Sequence, residues 1–236
     1  MRQRQASKEA SEDLAESRQA MLDDVEMTDG GLKVDFNSID AHRARVEKAA
    51  DKMGGKSGEA LKVVAAMQGE LNEIGRRCEE ATDGFVKAID WQTLAEKRDY
   101  EARREVLRNY IALNRQMLEK FNGYHRGVMS RLDAIGYTGA ERRNFDRSFS
   151  RNQKETVELV RTIRQCDIDC SELALGIIDR LEKTGNGWRW NAAEERAEFV
   201  ADGDAEWFNG EMKKIRELGE KQLKAQEDFA KLLKGA

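Results

Sequence analysis

The side chains in this sequence with the most metal-binding or proton-moving potential are three cysteines, Cys78, Cys166 and Cys170, and two histidines, His42 and His125. Cys166 and Cys170 stand one helical turn apart, a spacing that can chelate one ion. A metal centre needs three or four ligands, however, and Asp167 and Asp169 fall on other faces of the same helix. The cysteines instead lie within an apolar stripe, where small thiols usually fill core space. The expectation is therefore core cysteines and no metal. Parallel Cβ directions one turn apart make poor disulfide geometry, and the count is odd, so free thiols in a reducing compartment, the cytoplasm, are expected. No G-x-S-x-G or H-E-x-x-H pattern occurs. Gly55-Lys56-Ser57 has Ala50 where a phosphate-binding loop carries its first glycine, so it reads as a helix break. Both histidines lie on or beside apolar faces. No catalytic residue, no cofactor and no enzyme activity are expected.

Two other groups stand out. Arg142, Arg143, Arg147, Arg151 and Lys154 form a basic ridge with Phe145 and Phe149 between them. Such a ridge can hold phosphates, with aromatics that stack on bases or enter a lipid interface. It can equally face an acidic neighbouring helix, with the phenylalanines in the core. Trp188, Trp190 and Trp207 cluster near the end of the chain, either as a plug for one end of the fold or as an interface anchor. Asn114 interrupts an apolar stripe, as register-setting polar residues do, and Arg164 and Asp167 are placed for a local ion pair.

The elements that must position these residues are read from periodicity. A first helix is predicted from about Ser7 to Met27, stopped by Asp29-Gly30-Gly31, followed by a short strand alternating through Leu32, Val34 and Phe36. Asn37 or Ser38 caps a helix that breaks at Gly54-Gly55. A second stripe runs from Leu61 to Phe85 and ends around Asp83-Gly84 or Asp90. A long helix is predicted from Thr93, in a capping box with Glu96, to Ile135, roughly 65 Å at 1.5 Å per residue. Gly136 ends it, and the next helix starts at Thr138 or near Ser148 and runs to Gly185-Asn186-Gly187. Trp188–Trp190 and Glu198–Val200 read as paired strands, and Asp204 as the cap of a last helix. The Leu32–Phe36 segment and the Trp188–Val200 hairpin are expected to join in one small sheet.

Charged residues make up 36% of the 236 and proline is absent, which suits long exposed helices with one apolar stripe each. The stripes are wider than a coiled-coil seam, so the fold expected is all-α: an elongated antiparallel bundle of three to four long helices, with a β-hairpin near 188–200. One domain over 1–236 is expected, with 1–31 as a loosely attached helix and 188–200 as an insertion. Net charge is −4 but unevenly spread. Residues 1–96 hold 14 basic and 20 acidic groups, a net −6; 97–164 hold 16 and 9, a net +7; 165–236 hold 11 and 16, a net −5. Overall acidity argues against general nucleic-acid binding. The polar start Met1–Glu9 predicts no signal peptide, and no run approaches the ~18 apolar residues of a membrane span.

From Leu94 to Gln222 the pattern resembles a group of bacterial helical-bundle proteins, some exported or lipid-anchored. The shared features are the run Ala102–Val106, Asn114 with Leu118, Ile163-Arg164 with Asp167, the Gly187-Trp188-Arg189-Trp190 turn, Phe199, and Phe208-Asn209. The resemblance implies a bundle with a hairpin insertion and carries no activity. It also raises the alternative of a periplasmic or lipid-anchored protein whose leader has been removed, beside the cytoplasmic reading. Together these features predict a non-enzymatic structural or protein-interaction module, monomeric or homodimeric, with an unidentified protein partner. The alternative is a protein that binds an anionic surface, lipid headgroups or nucleic acid, through the ridge at 142–154.

Overall fold

The structure, a computed structural model, describes residues 14–20, 22–28 and 31–234, apart from the side chains of 151–153. The predicted helix start near Ser7 and the Asp29-Gly30 stop lie outside the described residues. Helix dominates, as an all-α chain requires. After helical residues 14–20 come strands β1 (Glu26–Thr28) and β2 (Gly31–Lys33) and helices α1 (Phe36–Met53), α2 (Gly55–Ala88), α3 (Trp91–Lys97), α4 (Tyr100–Ala134) and α5 (Gly139–Thr184). A 3-10 turn over Gly185–Gly187 leads into β3 (Trp188–Asn191) and β4 (Arg196–Phe199), and α6 (Asp202–Lys234) closes the chain.

Several boundaries differ from the sequence expectation. Glu26–Thr28 is a strand, paired antiparallel with Gly31–Lys33, and does not continue the first helix. Phe36 opens α1 instead of ending a strand, because the Asp35 carboxylate accepts from the Asn37 amide at 2.9 Å and caps the helix. The two hairpins remain separate two-stranded sheets, since each pairs only with its sequence neighbour. α2 passes through Asp83-Gly84 without a break. The long helix predicted from Thr93 is two helices. Asp90, not Thr93, caps α3, and Arg98 ends it in the left-handed region at φ 55°. Asp204 lies inside α6, where its carboxylate accepts from Arg180 at 2.7 Å.

Other signals act as their chemistry predicts. Gly54 and Gly55, both at positive φ, separate α1 from α2. Gly136 at φ 70° closes α4 in a Schellman motif: the Tyr137 amide donates to Leu132 O and the Gly136 amide to Asp133 O, each at 3.0 Å. α5 then begins at Gly139.

The chain, read from its sequence as one domain, divides into two compact units. The first takes in the stretches up to Arg76, Met117–Arg161 and from Ala225, and buries Met67, Leu71, Ile74, Tyr124, Val128, Leu132 and Val160. Ser17, Leu22 and Val25 are buried too, so the described part of the N-terminal stretch packs into this unit. The second comprises Arg77–Gln116 and Thr162–Lys224, with a core of Trp91, Leu94, Leu107, Ala174, Ile177, Ile178, Leu181, Trp188 and Phe208. Of its α5 residues, Ile177 and Leu181 fall on the predicted stripe that carries Cys166 and Cys170, and Ala174 and Ile178 widen it.

Candidate functional site

The second unit encloses a polar cluster centred on Asp167, whose side chain is 7% exposed. One carboxylate oxygen accepts from the Tyr110 hydroxyl at 3.0 Å and the Gln222 amide at 2.7 Å; the other accepts from Arg164 at 3.0 Å. Arg164 also donates to Asn114 Oδ1 at 3.2 Å, and the Asn114 amide donates to Tyr110 O at 3.0 Å. Asn114 is wholly buried. Burial pushes the Asp167 carboxyl above its ordinary value, against the pull of Arg164, Gln222 and Tyr110. Burial, reinforced by the Asp167 charge, likewise raises the Tyr110 hydroxyl well above its usual range. The predicted Arg164–Asp167 ion pair and the polar role of Asn114 are both present. Tyr110 and Gln222 carried no sequence signal, because only packing brings α4 and α6 to this point on α5.

Three further arginines tie the corner of the same unit. Arg103 is buried and donates to the carbonyls of Lys87, Ala88 and Asp90 at 2.9, 3.1 and 2.7 Å, closing the C-terminus of α2, and pairs with Asp99 at 2.7 Å. Arg104 pairs with Glu182, Asp179 and Glu101, which raise its pKa further and hold it protonated. Arg98 donates to Gly185 O at 2.9 Å and Trp188 O at 3.1 Å, and its guanidinium lies 4.7 Å from the Trp188 ring centre. Trp188 is 2% exposed and belongs to the core, not to a surface. Trp190 and Trp207 are half-buried against the same core, with Arg180 over the Trp207 ring at 5.0 Å.

The basic ridge lies in the first unit and its members differ. Arg142 is neutralised by Asp133, at 2.6 and 3.1 Å, and by Asp146 at 3.7 Å. Arg143, Arg147 and Lys154 are exposed, with no carboxylate partner among the described residues. The side chain of Arg151 lies outside the description. Phe145 and Phe149 stack on each other at 5.4 Å; Phe145 meets Tyr137 at 6.3 Å and Phe149 meets Tyr124 at 5.8 Å. Both are half-buried.

Beside them, His125, Asp146 and Ser150 meet at the surface. The Asp146 carboxylate lies 2.8 Å and the Ser150 hydroxyl 3.1 Å from the same ring nitrogen, His125 Nε2. A serine-histidine-aspartate relay needs the carboxylate on one ring nitrogen and the hydroxyl on the other, so that one end holds the ring while the other takes the proton. Here one nitrogen faces both, and the arrangement is a hydrogen-bonded surface triangle. The His125 hydrogen bond holds the Asp146 carboxyl below its ordinary value. The sequence gives no sign of the triangle, since Ser150 and His125 are 25 residues apart and meet only because the chain reverses between α4 and α5.

Cys78, Cys166 and Cys170 are buried free thiols, and burial raises all three, Cys170 to about 12. Among the described residues no three His, Cys, Asp or Glu side chains converge to hold a metal ion, and no helix is long and apolar enough to cross a membrane. No protein-family model, curated protein or solved structure matches this chain.

Proposed function

We propose that the chain is a non-enzymatic helical-bundle module that serves structure or protein interaction. The observation that carries this reading is the Asp167 cluster. The buried Asp167 carboxylate takes three donors from α4, α5 and α6, so its hydrogen bonds join helices of one unit instead of facing a reactant. Satisfied buried polar networks rigidify a core and specify one packing. The paired states of Arg98, Arg103 and Arg104 support the same reading.

The rival, an anionic lipid or nucleic-acid surface held on the 142–154 ridge, draws support from exposed Arg143, Arg147 and Lys154. It is weakened by the neutralised Arg142 and by half-buried aromatics that stack with one another and with Tyr124 and Tyr137 on the side of α5 away from Arg143 and Arg147. Native mass spectrometry of gently purified protein tests the choice. The module reading predicts a bare monomer or homodimer. Retained lipid, nucleotide or metal mass would overturn it.

A further inference from the structure

We infer that the outer face of α5 at Arg143, Arg147 and Lys154 docks an acidic helix of a partner protein. The inference rests on the interaction-module reading and names the partner class for it. At 3.6 residues per turn, the three residues fall within about 40° of one another around the helix and span about 16 Å of its length. Phe145 and Phe149 point roughly to the opposite side, into their stack with Tyr124 and Tyr137. The one acidic residue between Arg143 and Lys154, Asp146, is engaged by His125 and Arg142. The outward face thus presents Arg143 and Arg147 without a carboxylate partner among the described residues, and the first acidic residue on that face, Glu158, comes one turn beyond Lys154.

Three observations select the occupant. Guanidinium groups one turn apart match carboxylates one turn apart on a facing helix, where each fork can take a carboxylate in two parallel bonds. The neighbouring aromatics are half-buried in a stack on the other side of the helix, so the arginine stripe itself carries neither a stacking platform for bases nor a wedge for a lipid interface. The chain carries a net −4, which opposes long-range attraction to extended polyanions such as duplex DNA or an anionic bilayer. A short acidic helix meets the local positive charge without meeting that wider field.

The experiment uses the full chain and a fluorescein-labelled, helix-forming peptide with glutamates at i, i+4, i+7 and i+11. A peptide of the same composition with the glutamates redistributed around the helix is the control. The expected result is anisotropy-detected binding of the patterned peptide over the control, weakening with added salt and falling about ten-fold in the Arg143→Ala/Arg147→Ala variant. Circular dichroism of the variant should be unchanged, because both side chains are exposed. No binding up to about 1 mM peptide would overturn the inference. So would equal binding of the two peptides, an unaffected variant, or tighter binding of phosphatidylserine vesicles or a DNA duplex through the same arginines. If the peptide fails while native mass spectra remain bare, only this inference falls. Retained small-molecule mass would remove the module reading beneath it.

Discussion

At the scale of single residues, burial and pairing decide what each reactive group does. The cysteine thiols occupy apolar space that disfavours the thiolate, the form that attacks electrophiles. Iodoacetamide at mildly alkaline pH should therefore leave Cys78, Cys166 and Cys170 largely unmodified in the folded protein and label all three in denaturant. Intact mass spectrometry reads this directly, and rapid labelling of the folded chain would contradict the burial described. Core cysteines were legible, because all three sit within stripes of period three to four. The partners of Asp167 were legible only in part. Arg164 lies one turn away on the same helix, whereas Tyr110 and Gln222 are 57 and 55 residues distant in sequence.

At the scale of elements, local signals worked where the chain obeys local chemistry. Gly136 ended its helix in a Schellman motif, Gly54-Gly55 broke another, and alternation located the second hairpin. They failed where distant groups set the backbone. The break at Arg98 is fixed by its guanidinium bonds to Gly185 and Trp188 carbonyls, which no window around Thr93–Tyr100 contains. Asp83-Gly84 did not stop α2, because a glycine that lies close against Val106 of α4 stays within a packed helix. Arg103 gives this scale its prediction. Arg103→Ala leaves the carbonyls of Lys87, Ala88 and Asp90 without their charged donor, at a cost of about 2–3 kcal/mol. Amide hydrogen exchange should quicken around the α2–α3 corner. Arg103→Lys should recover only part of the loss, since an ammonium cannot reproduce the planar fork. Unchanged exchange in the alanine variant would show that the corner is held by packing alone.

At the scale of the whole molecule, the two units can be followed separately. All four tryptophans, Trp91, Trp188, Trp190 and Trp207, belong to the second unit, so tryptophan fluorescence reports on that unit. Alkaline pH should weaken both. Cys170 in the second unit and Tyr124 in the first are each pushed up to about 12 by burial, from ordinary values of 9.0 and 10.0. A raised folded pKa means that the unfolded chain loses its proton first. The stabilisation is complete below the ordinary value and is lost as pH rises to about 12. Urea midpoints should fall steadily between pH 9 and 12 at fixed ionic strength, and a flat profile would contradict the burial of these groups.

If, as proposed, the Asp167 cluster holds helices together and does not face a reactant, losing its carboxylate should destabilise the second unit. Urea denaturation of Asp167→Ala, followed by tryptophan fluorescence, tests it most directly. Removing the carboxylate leaves Arg164, Tyr110 and Gln222 without their shared acceptor, and the account predicts that the second unit loses about 3–5 kcal/mol. A polar cluster kept for chemistry strains its fold, and its removal is commonly neutral or stabilising. A variant as stable as the parent, or more so, would contradict the account and mark Asp167 as a functional group.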